Sequence, residues 1–341
     1  MRRLAEWLTR AWFQRRLPLS LLWAAPVAFV FFGLAASRRA LYRRNILRAE
    51  RLPVPVIVIG NVTLGGAGKT PLTLAIAEIL RAMGYRPGMI SRGYRGQNST
   101  PRQVFPDSSA AECGDEPVLL ARRSGLPVWI GRDRAKAGKA LLAAAPSVDV
   151  ILCDDGLQHY SLQRDLEIAV FDGRGAGNGW LLPAGPLREP VSRLASVGAI
   201  VTHGDPDFPR DSQSLPARFA ARFTFGMAYR LGAQEVCLHT AELIRRYPDA
   251  IWQAVAGMGN PARFFRALDA LGFRFAPRPF PDHHSYHLSD LGFASAGPVI
   301  MTEKDAVKCA ALGLADAWVL PVSMLLPPEF PRFLKEKLNG R

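Results

Sequence analysis

Between an apolar run at Val54 to Ile59 and a stretch of helical periodicity at Lys69 to Met83, the chain reads Gly60-Asn61-Val62-Thr63-Leu64-Gly65-Gly66-Ala67-Gly68-Lys69-Thr70-Pro71. A buried strand, a glycine-rich turn and a helix opening on Lys-Thr form the setting of a phosphate-binding P-loop. Glycines let backbone N–H groups turn inward on phosphate oxygens, and the helix N-terminus adds its dipole. Residues Thr63, Leu64, Gly65, Gly66, Ala67, Gly68, Lys69 and Thr70 are therefore expected to bind the phosphates of ATP. Lys69 reaches the β- and γ-phosphates, and the Thr70 hydroxyl ligates Mg2+. The first glycine of the usual G-x-x-x-x-G-K-[ST] pattern is here Thr63, while Gly65-Gly66 restores a flexible turn. A dinucleotide fingerprint fits poorly, because Gly-Lys-Thr follows and no G-x-G-x-x-G opens the helix. Guanine specificity has no support either: in Thr302-Glu303-Lys304-Asp305 the Lys and Asp are adjacent, with no residue between them.

Further apolar runs at Pro87–Ile90, Pro127–Ile130, Val148–Cys153, Leu166–Phe171 and Ala199–Thr202 alternate with helical stretches. Strands alternating with helices predict a parallel sheet covered on both faces. At 341 residues there is chain for two cores,. The segment His203 to Leu215, rich in Asp, Pro and Ser, reads as a boundary loop. After it, short strands in Ala217–Thr240 open a second unit with strands at Trp252–Ala256, Val299–Thr302 and Ala317–Val322 and a helix at Ala262–Leu271. The expected class is α/β: a P-loop parallel-sheet core over 51–215, a smaller α/β domain over 216–341, and a membrane-associated N-terminal segment over 1–50.

Two carboxylates and an amide follow the apolar run Val150 to Cys153, in Asp154-Asp155-Gly156-Leu157-Gln158. Ligands of open α/β sheets bind at that strand edge, and a carboxylate there holds Mg2+ directly or through water opposite Thr70. An ordinary Asp-Gly turn is the plainer reading of the same residues. The loop Gly179 to Pro190 carries one Arg-Glu pair, Arg188-Glu189, to which spacing alone gives no role.

The formal charge of +14 calls for an anionic partner,. Eleven arginines before position 52, against only Glu6 and Glu50, flank an uncharged run of 20 residues from Leu17 to Ala36. That length suffices to cross a bilayer, but Pro18 and Pro26 interrupt it, and a full crossing would leave one arginine cluster on the outer side. A kinked helix dipping into one leaflet, with arginines on lipid phosphates, satisfies both clusters. A cleaved signal ending near Ala35-Ala36-Ser37 is a third reading, opposed by the need for cytosolic ATP. The spacing of Cys113, Cys153, Cys237 and Cys309 indicates neither a disulfide framework nor a zinc site,. Because the charge gathers around one apolar segment, without aromatic-basic interleaving in the globular part, nucleic acid is not the expected partner.

Taken together, Gly60 to Pro71, Ser91-Arg92-Gly93-Tyr94, Gly114-Asp115-Glu116-Pro117, Asp154 to Gln158, Asn178 to Glu189, Val255 to Phe265, Asp282-His283 and Thr302 to Lys308 resemble the tetraacyldisaccharide 4'-kinase family of lipid A biosynthesis. The resemblance covers nearly the whole chain. It implies an ATP- and Mg2+-dependent enzyme at the cytoplasmic face of the bacterial inner membrane, peripheral or monotopic, with a small domain closing over the site. The reaction implied is transfer of the γ-phosphoryl group to the 4'-hydroxyl of a tetraacylated glucosamine disaccharide 1-phosphate. By motif match Asp154, Asp155, Gln158 and Glu189 join Thr70 as candidates for the metal shell, Arg188 offsets charge on the transferring group, and Arg92 and Tyr94 meet the lipid substrate. The family's base, an Asp assisted by a His, maps to Asp115 and His283. Local sequence leaves Asp115 open as the cap of a helix Glu116–Arg123, and leaves His284 beside His283. A membrane-recruited P-loop ATPase acting as a switch or chaperone, with water as acceptor, is the competing class.

Overall fold

The computed structural model describes residues 2–93, 100–204 and 216–339, with backbone alone for residues 2–6. Two helices lead the chain, α1 (Arg2–Trp12) and α2 (Ala25–Arg43), joined by a 3-10 turn at Leu19–Ala24. Pro18 precedes the turn and Pro26 sits in the first turn of α2. At those positions proline's fixed φ starts a helix rather than breaking one, so the expected kink becomes a change from 3-10 to α geometry. The resulting rod, Leu19–Arg43, has a mean hydropathy of 2.1 over a window only 17% buried. It is long and apolar enough to cross a membrane by length and composition. One side rests on the body: Ala24 and Ala28 pack on Ala184, Phe29 meets Trp180 edge-on at 5.7 Å, and Arg39 donates to Ser196 Oγ at 2.8 Å. Leu19, Trp23, Phe29, Val30 and Leu34 remain exposed.

Next come β1 (Val56–Gly60), α3 (Lys69–Ala82), β2 (Pro87–Ser91), β3 (Arg102–Val104), α4 (Ala110–Cys113), α5 (Asp115–Ser124), β4 (Val128–Ile130), α6 (Arg134–Ala144), β5 (Val150–Asp154), β6 (Leu166–Asp172), β7 (Ala199–His203) and β8 (Ala217–Phe225). They are followed by β9 (Ala228–Arg230), β10 (Ala233–Leu238), α7 (Thr240–Arg246), β11 (Trp252–Ala256), α8 (Pro261–Ala270), β12 (Phe275–Pro279), β13 (Val299–Thr302), α9 (Glu303–Cys309), β14 (Ala317–Leu320), β15 (Val322–Leu325) and α10 (Phe330–Asn339).

The larger sheet has the order β15-β8-β7-β6-β1-β5-β2-β4-β3, parallel from β8 to β4 with antiparallel strands at both ends. Its central strand is buried on both faces: Ile57 and Ile59 point into one core, Val56 and Val58 into the other. Period-two alternation puts neighbouring residues on opposite faces, so a wholly apolar strand must lie between two helical layers. The smaller sheet has the order β10-β9-β14-β13-β11-β12, with β14, β13, β11 and β12 parallel.

Sheet membership divides the chain differently from a single cut at 215/216. β8, expected in the second unit, pairs in parallel with β7, and β15 returns to pair with β8. Helix α10 then buries Phe330, Leu334 and Leu338 in the large core, with Phe219 edge-on to Phe330 at 4.9 Å. The chain thus crosses between sheets twice, after Phe225 and at Pro321, where Gly226 N–H donates to Pro321 O at 3.1 Å. A strand of alternating pattern such as β8 reads identically in either sheet, which is why the pattern alone misplaced it. Of the expected boundary loop from His203 to Leu215, His203 ends β7, and residues 205–215 lie outside the described residues.

Candidate active site

Local geometry explains why the loop after β1 departs from the usual P-loop pattern. Gly65 (φ +98) and Gly68 (φ +90) take left-handed conformations that a side chain would strain,. Thr63 does not: it forms an antiparallel bridge with Leu187, where a β-branched residue is at home,. Leu64 N–H donates to Pro186 O at 2.8 Å and Arg188 N–H to Val62 O at 2.6 Å, so the stretch ahead of the Arg-Glu pair lies along the glycine loop like a short strand. Asn61 Nδ2 donates to Thr63 Oγ1 (3.2 Å), and His203 Nε2 lies 2.8 Å from Ala67 O. Helix α3 opens at Gly68, and Leu72, Ile76 and Leu80 bury one side of it, which fixes the direction of Lys69 and Thr70.

At the end of β5 the two aspartates part. Asp154 is wholly buried; its Oδ1 accepts from Thr73 Oγ1 at 2.9 Å and its Oδ2 has no hydrogen-bond partner. Burial, then the negative charges of Glu116 and Asp155, push its carboxyl up to about 7,. Asp155 has φ +49, a conformation strained for an aspartate and one that turns its carboxylate toward the loop,. There it lies 3.5 Å from Lys69 Nζ and accepts from Arg188 at 3.2 and 3.4 Å. Burial alone would raise the Asp155 carboxyl, but Lys69 and Arg188 outweigh it and hold it below the usual range. The chain of polar contacts continues outward. Arg188 donates to Gln158 Oε1 at 3.4 Å, and Gln158 Nε2 donates to Asn61 O (3.1 Å) and to Glu189 Oε2 (3.0 Å). The Tyr160 hydroxyl donates to Glu189 Oε1, and Arg193 stands 3.8 Å from the same carboxylate.

Asp115 occupies the first turn of α5, with Gly114 rather than Asp115 at the cap position. Its Oδ1 accepts the Glu116 N–H at 3.0 Å, and His283 Nδ1 lies 3.0 Å from Oδ1 and 3.2 Å from Oδ2. Facing a carboxylate, Nδ1 carries the proton and donates. His283 is held at φ +57. The neighbouring His284 turns the other way, 3.1 Å from Asp290 Oδ2 and stacked on Phe280 at 4.9 Å. Burial would raise the Asp115 carboxyl; the His283 hydrogen bond and the charges of Lys304 and Lys308 overcome it and hold it at about 2. The bond to Asp115 in turn raises His283, against burial.

Lys304 and Lys308 were missed in the sequence. Both stand 3.8 Å from Asp115 Oδ2, and Lys304 donates to Glu116 (3.1 Å) and Asp282 (2.8 Å). Their signal was present in Thr302-Glu303-Lys304-Asp305, which fails as a guanine motif because it serves another purpose. Asp305 is buried and receives bonds from Thr302 Oγ1, Tyr286 OH and Gly257 N–H, fixing the glycine turn ahead of α8. A Cβ on Gly259 in that turn would lie 2.7 Å from Gly66 N, so the two sheets touch backbone to backbone at the phosphate loop. Arg263 of α8, also missed, stacks on Phe223 at 4.7 Å with Nη1 buried and without a hydrogen-bond partner. Burial lowers its guanidinium to about 10.

A cavity of about 350 Å3 opens between the sheets, bounded by Gly65 to Thr70, Asp155 and Arg188 on one side and by Gly259, Arg263, His283 and Lys304 on the other. Leu74, Leu119, Phe223, Phe225 and Phe264 supply an apolar wall. Arg92 does not line this cavity; it lies exposed just after β2. Tyr94 lies outside the described residues. Among the described residues no three His, Cys, Asp or Glu side chains cluster at metal-holding distance. A magnesium site at a P-loop needs none, since a Thr hydroxyl, one carboxylate, water and phosphate oxygens complete it.

The family model described as tetraacyldisaccharide-1-P 4'-kinase matches residues 20–339. A tetraacyldisaccharide 4'-kinase of Dechloromonas aromatica (strain RCB) is 51% identical over 341 residues, 99% of each chain. Those of Janthinobacterium sp. (strain Marseille) and Azoarcus sp. (strain BH72) are 46% and 49% identical, over 99% and 87% of this chain and 97% and 86% of theirs. The crystal structure of the "apo" form of LpxK from Aquifex aeolicus in complex with ATP superposes with a TM-score of 0.75 at 26% identity, covering 92% of this chain and 98% of that one.

Proposed function

The chain belongs to the tetraacyldisaccharide 4'-kinase family, and on that footing we propose how its residues divide the transfer of the γ-phosphoryl group of ATP to the 4'-hydroxyl of a tetraacylated glucosamine disaccharide 1-phosphate, a lipid A precursor. The glycine loop from Thr63 to Thr70 cradles the phosphates, with Lys69 on the β- and γ-oxygens. Phosphoryl transfer passes through a loose transition state whose charge spreads over the phosphoryl oxygens, so positioning and charge neutralisation carry most of the catalysis. Arg188, aimed inward by its pairing with Asp155, offsets that charge.

Magnesium fits the residues present. Asp154 Oδ2 is buried without a partner, beside a helix that opens on Lys69-Thr70. A carboxyl raised to about 7 is one that a cation returns to its ionised form,. Thr70 and Asp154 would hold the ion, with Asp155, Gln158 and Glu189 in the surrounding shell. When bound, Mg2+ would supply the positive charge that neutralises the phosphates.

Asp115 accepts the proton of the attacking hydroxyl, and His283 fixes its orientation. A carboxylate held at about 2 is fully ionised at neutral pH. Its weak basicity suffices, because a loose transition state takes the hydroxyl proton late. The observation that carries this reading is the 3.0 Å contact between Asp115 and His283, which lie on elements of different sheets beside the P-loop cavity. The exposed apolar rod Leu19–Arg43 and its flanking arginines suit a peripheral or monotopic seat at the cytoplasmic face, where an acylated substrate resides,. Arg92 and Tyr94 meet that substrate. Incubating the purified protein with ATP, Mg2+ and the tetraacyl disaccharide 1-phosphate yields a lipid heavier by one phosphate in the mass spectrum. Lipid-independent release of inorganic phosphate with unchanged lipid mass would instead mark an ATPase switch.

A further inference from the structure

We propose that helix α1 is a positioning arm of the phosphate site: its end, Trp12-Phe13, clamps the loop between β6 and Arg188-Glu189 and through that loop sets the glycine loop. The inference rests on residues 63–70 being the ATP site. The family match begins at residue 20, after this helix.

Trp12 grips the loop at two points. Its Nε1–H donates to Pro183 O at 2.9 Å, and its carbonyl accepts the Asn178 N–H at 2.8 Å. Gly177, at φ +61, has no room for a side chain, since a Cβ there would strike the Trp12 carbonyl and come within 3.3 Å of the Phe13 ring. Ala11 is 4% exposed, so the end of α1 is seated rather than laid along the surface.

Two routes lead from this clamp to the nucleotide. In the first, the Phe13 ring lies 4.3 Å beneath the Arg174 guanidinium. Arg174 pairs with Asp172 at 2.7 to 3.1 Å and stands 3.6 Å from where a Cβ on Gly65 would be. In the second, buried Asn178 ties the loop to itself through Ala184 O (3.0 Å) and Trp180 N–H (3.1 Å). The loop then reaches Pro186 and Leu187, which hold Leu64 and Thr63. An arginine lying over an aromatic face loses freedom to swing, and a phosphate loop displaced by about 1 Å loses much of its catalytic fit. A helix docked in this way narrows the conformations of both loops before the nucleotide arrives.

The test measures Kd for MgATP on detergent-solubilised full-length protein without lipid substrate, alongside Tm and pelleting with anionic phospholipid vesicles. Phe13→Leu removes the ring face and Trp12→Phe the indole donor, each keeping an apolar side chain. Each is expected to weaken MgATP binding about 3- to 10-fold with vesicle pelleting unchanged. Arg174→Met is expected to do the same, and the Phe13→Leu/Arg174→Met pair to lose less than the product of the singles, because both remove one contact. An MgATP Kd within about twofold of wild type in Phe13→Leu and Trp12→Phe, whether or not Tm or pelleting falls, would reduce α1 to an anchor and overturn the proposal. Multiplicative losses in the pair would overturn the route through Arg174. If Lys69→Ala still bound MgATP tightly, the P-loop reading itself would fail, apart from the arm.

Discussion

Asp154→Asn should kill the enzyme and stabilise its metal-free form, with a stabilisation that grows as pH rises. Burial holds the native carboxyl at about 7, well above the ordinary aspartate value of about 4,. A carboxyl raised on folding binds more protons in the native than in the unfolded chain between those values, so its contribution to stability is intact below about 4 and is lost as pH climbs through 7. At about 1.4 kcal/mol per tenfold the full loss is on the order of 4 kcal/mol, of which roughly 2–3 kcal/mol falls between pH 5 and pH 8. An asparagine escapes this loss but leaves a buried amide N–H where Oδ2 stood, at a cost of about 1–3 kcal/mol that does not vary with pH. The pH dependence of the difference therefore isolates the charge. With an unfolding entropy of about 0.7 kcal/mol/K for a chain of this length, Asp154→Asn should gain about 3–4 °C in Tm relative to wild type on going from pH 5 to pH 8 without Mg2+. The assay is thermal unfolding of both proteins at the two pH values in chelator, with kinase activity measured alongside. A Tm difference that is the same at pH 5 and pH 8 would refute the buried, unpaired carboxyl, and kinase activity near wild type would remove Asp154 from the magnesium site.

Lys69→Ala should abolish turnover with Tm within a few degrees of wild type, since the lysine faces the cavity; near-normal activity in the folded variant would sink the phosphate assignment. Asp115→Asn and His283→Ala should each lower kcat by about 10²–10⁴-fold, and the double variant little more than the worse single, because the two act as one unit. Multiplicative losses at saturating ATP would dissolve the pair. Removing residues 1–43 should release the protein from vesicles and raise KM for lipid; continued pelleting at high salt would require another anchoring surface.

Much of the site was legible because its signals are local. A strand, three glycines, Lys-Thr and a helix follow one another within the run from Val54 to Met83, and the loop obeys that order. The same holds for Asp154-Asp155, placed at a strand end by the apolar residues before them. Thr63 reads as a departure from the P-loop pattern because its partner, Leu187, is distant in sequence. Tyr160 and Arg193 gave no signal either, since they matter only through their contacts with Glu189.

The dyad marks the limit most clearly. Asp115 and His283 are 168 residues apart, and neither neighbourhood says that the other exists. Motif resemblance named them, but choosing His283 over His284 took the backbone at φ +57, which turns one imidazole to Asp115 and leaves the next on Asp290. The same holds for β8, which joins the first sheet, and α10, which packs into its core, although the sequence places a unit boundary before both. By itself the sequence determined the elements and the phosphate loop, because hydrophobic period, glycine conformation and helix start are properties of short windows. Tertiary structure alone decided which charges surround Asp115 and how the two sheets abut at Gly66 and Gly259, because a distance between remote segments depends on how whole layers pack.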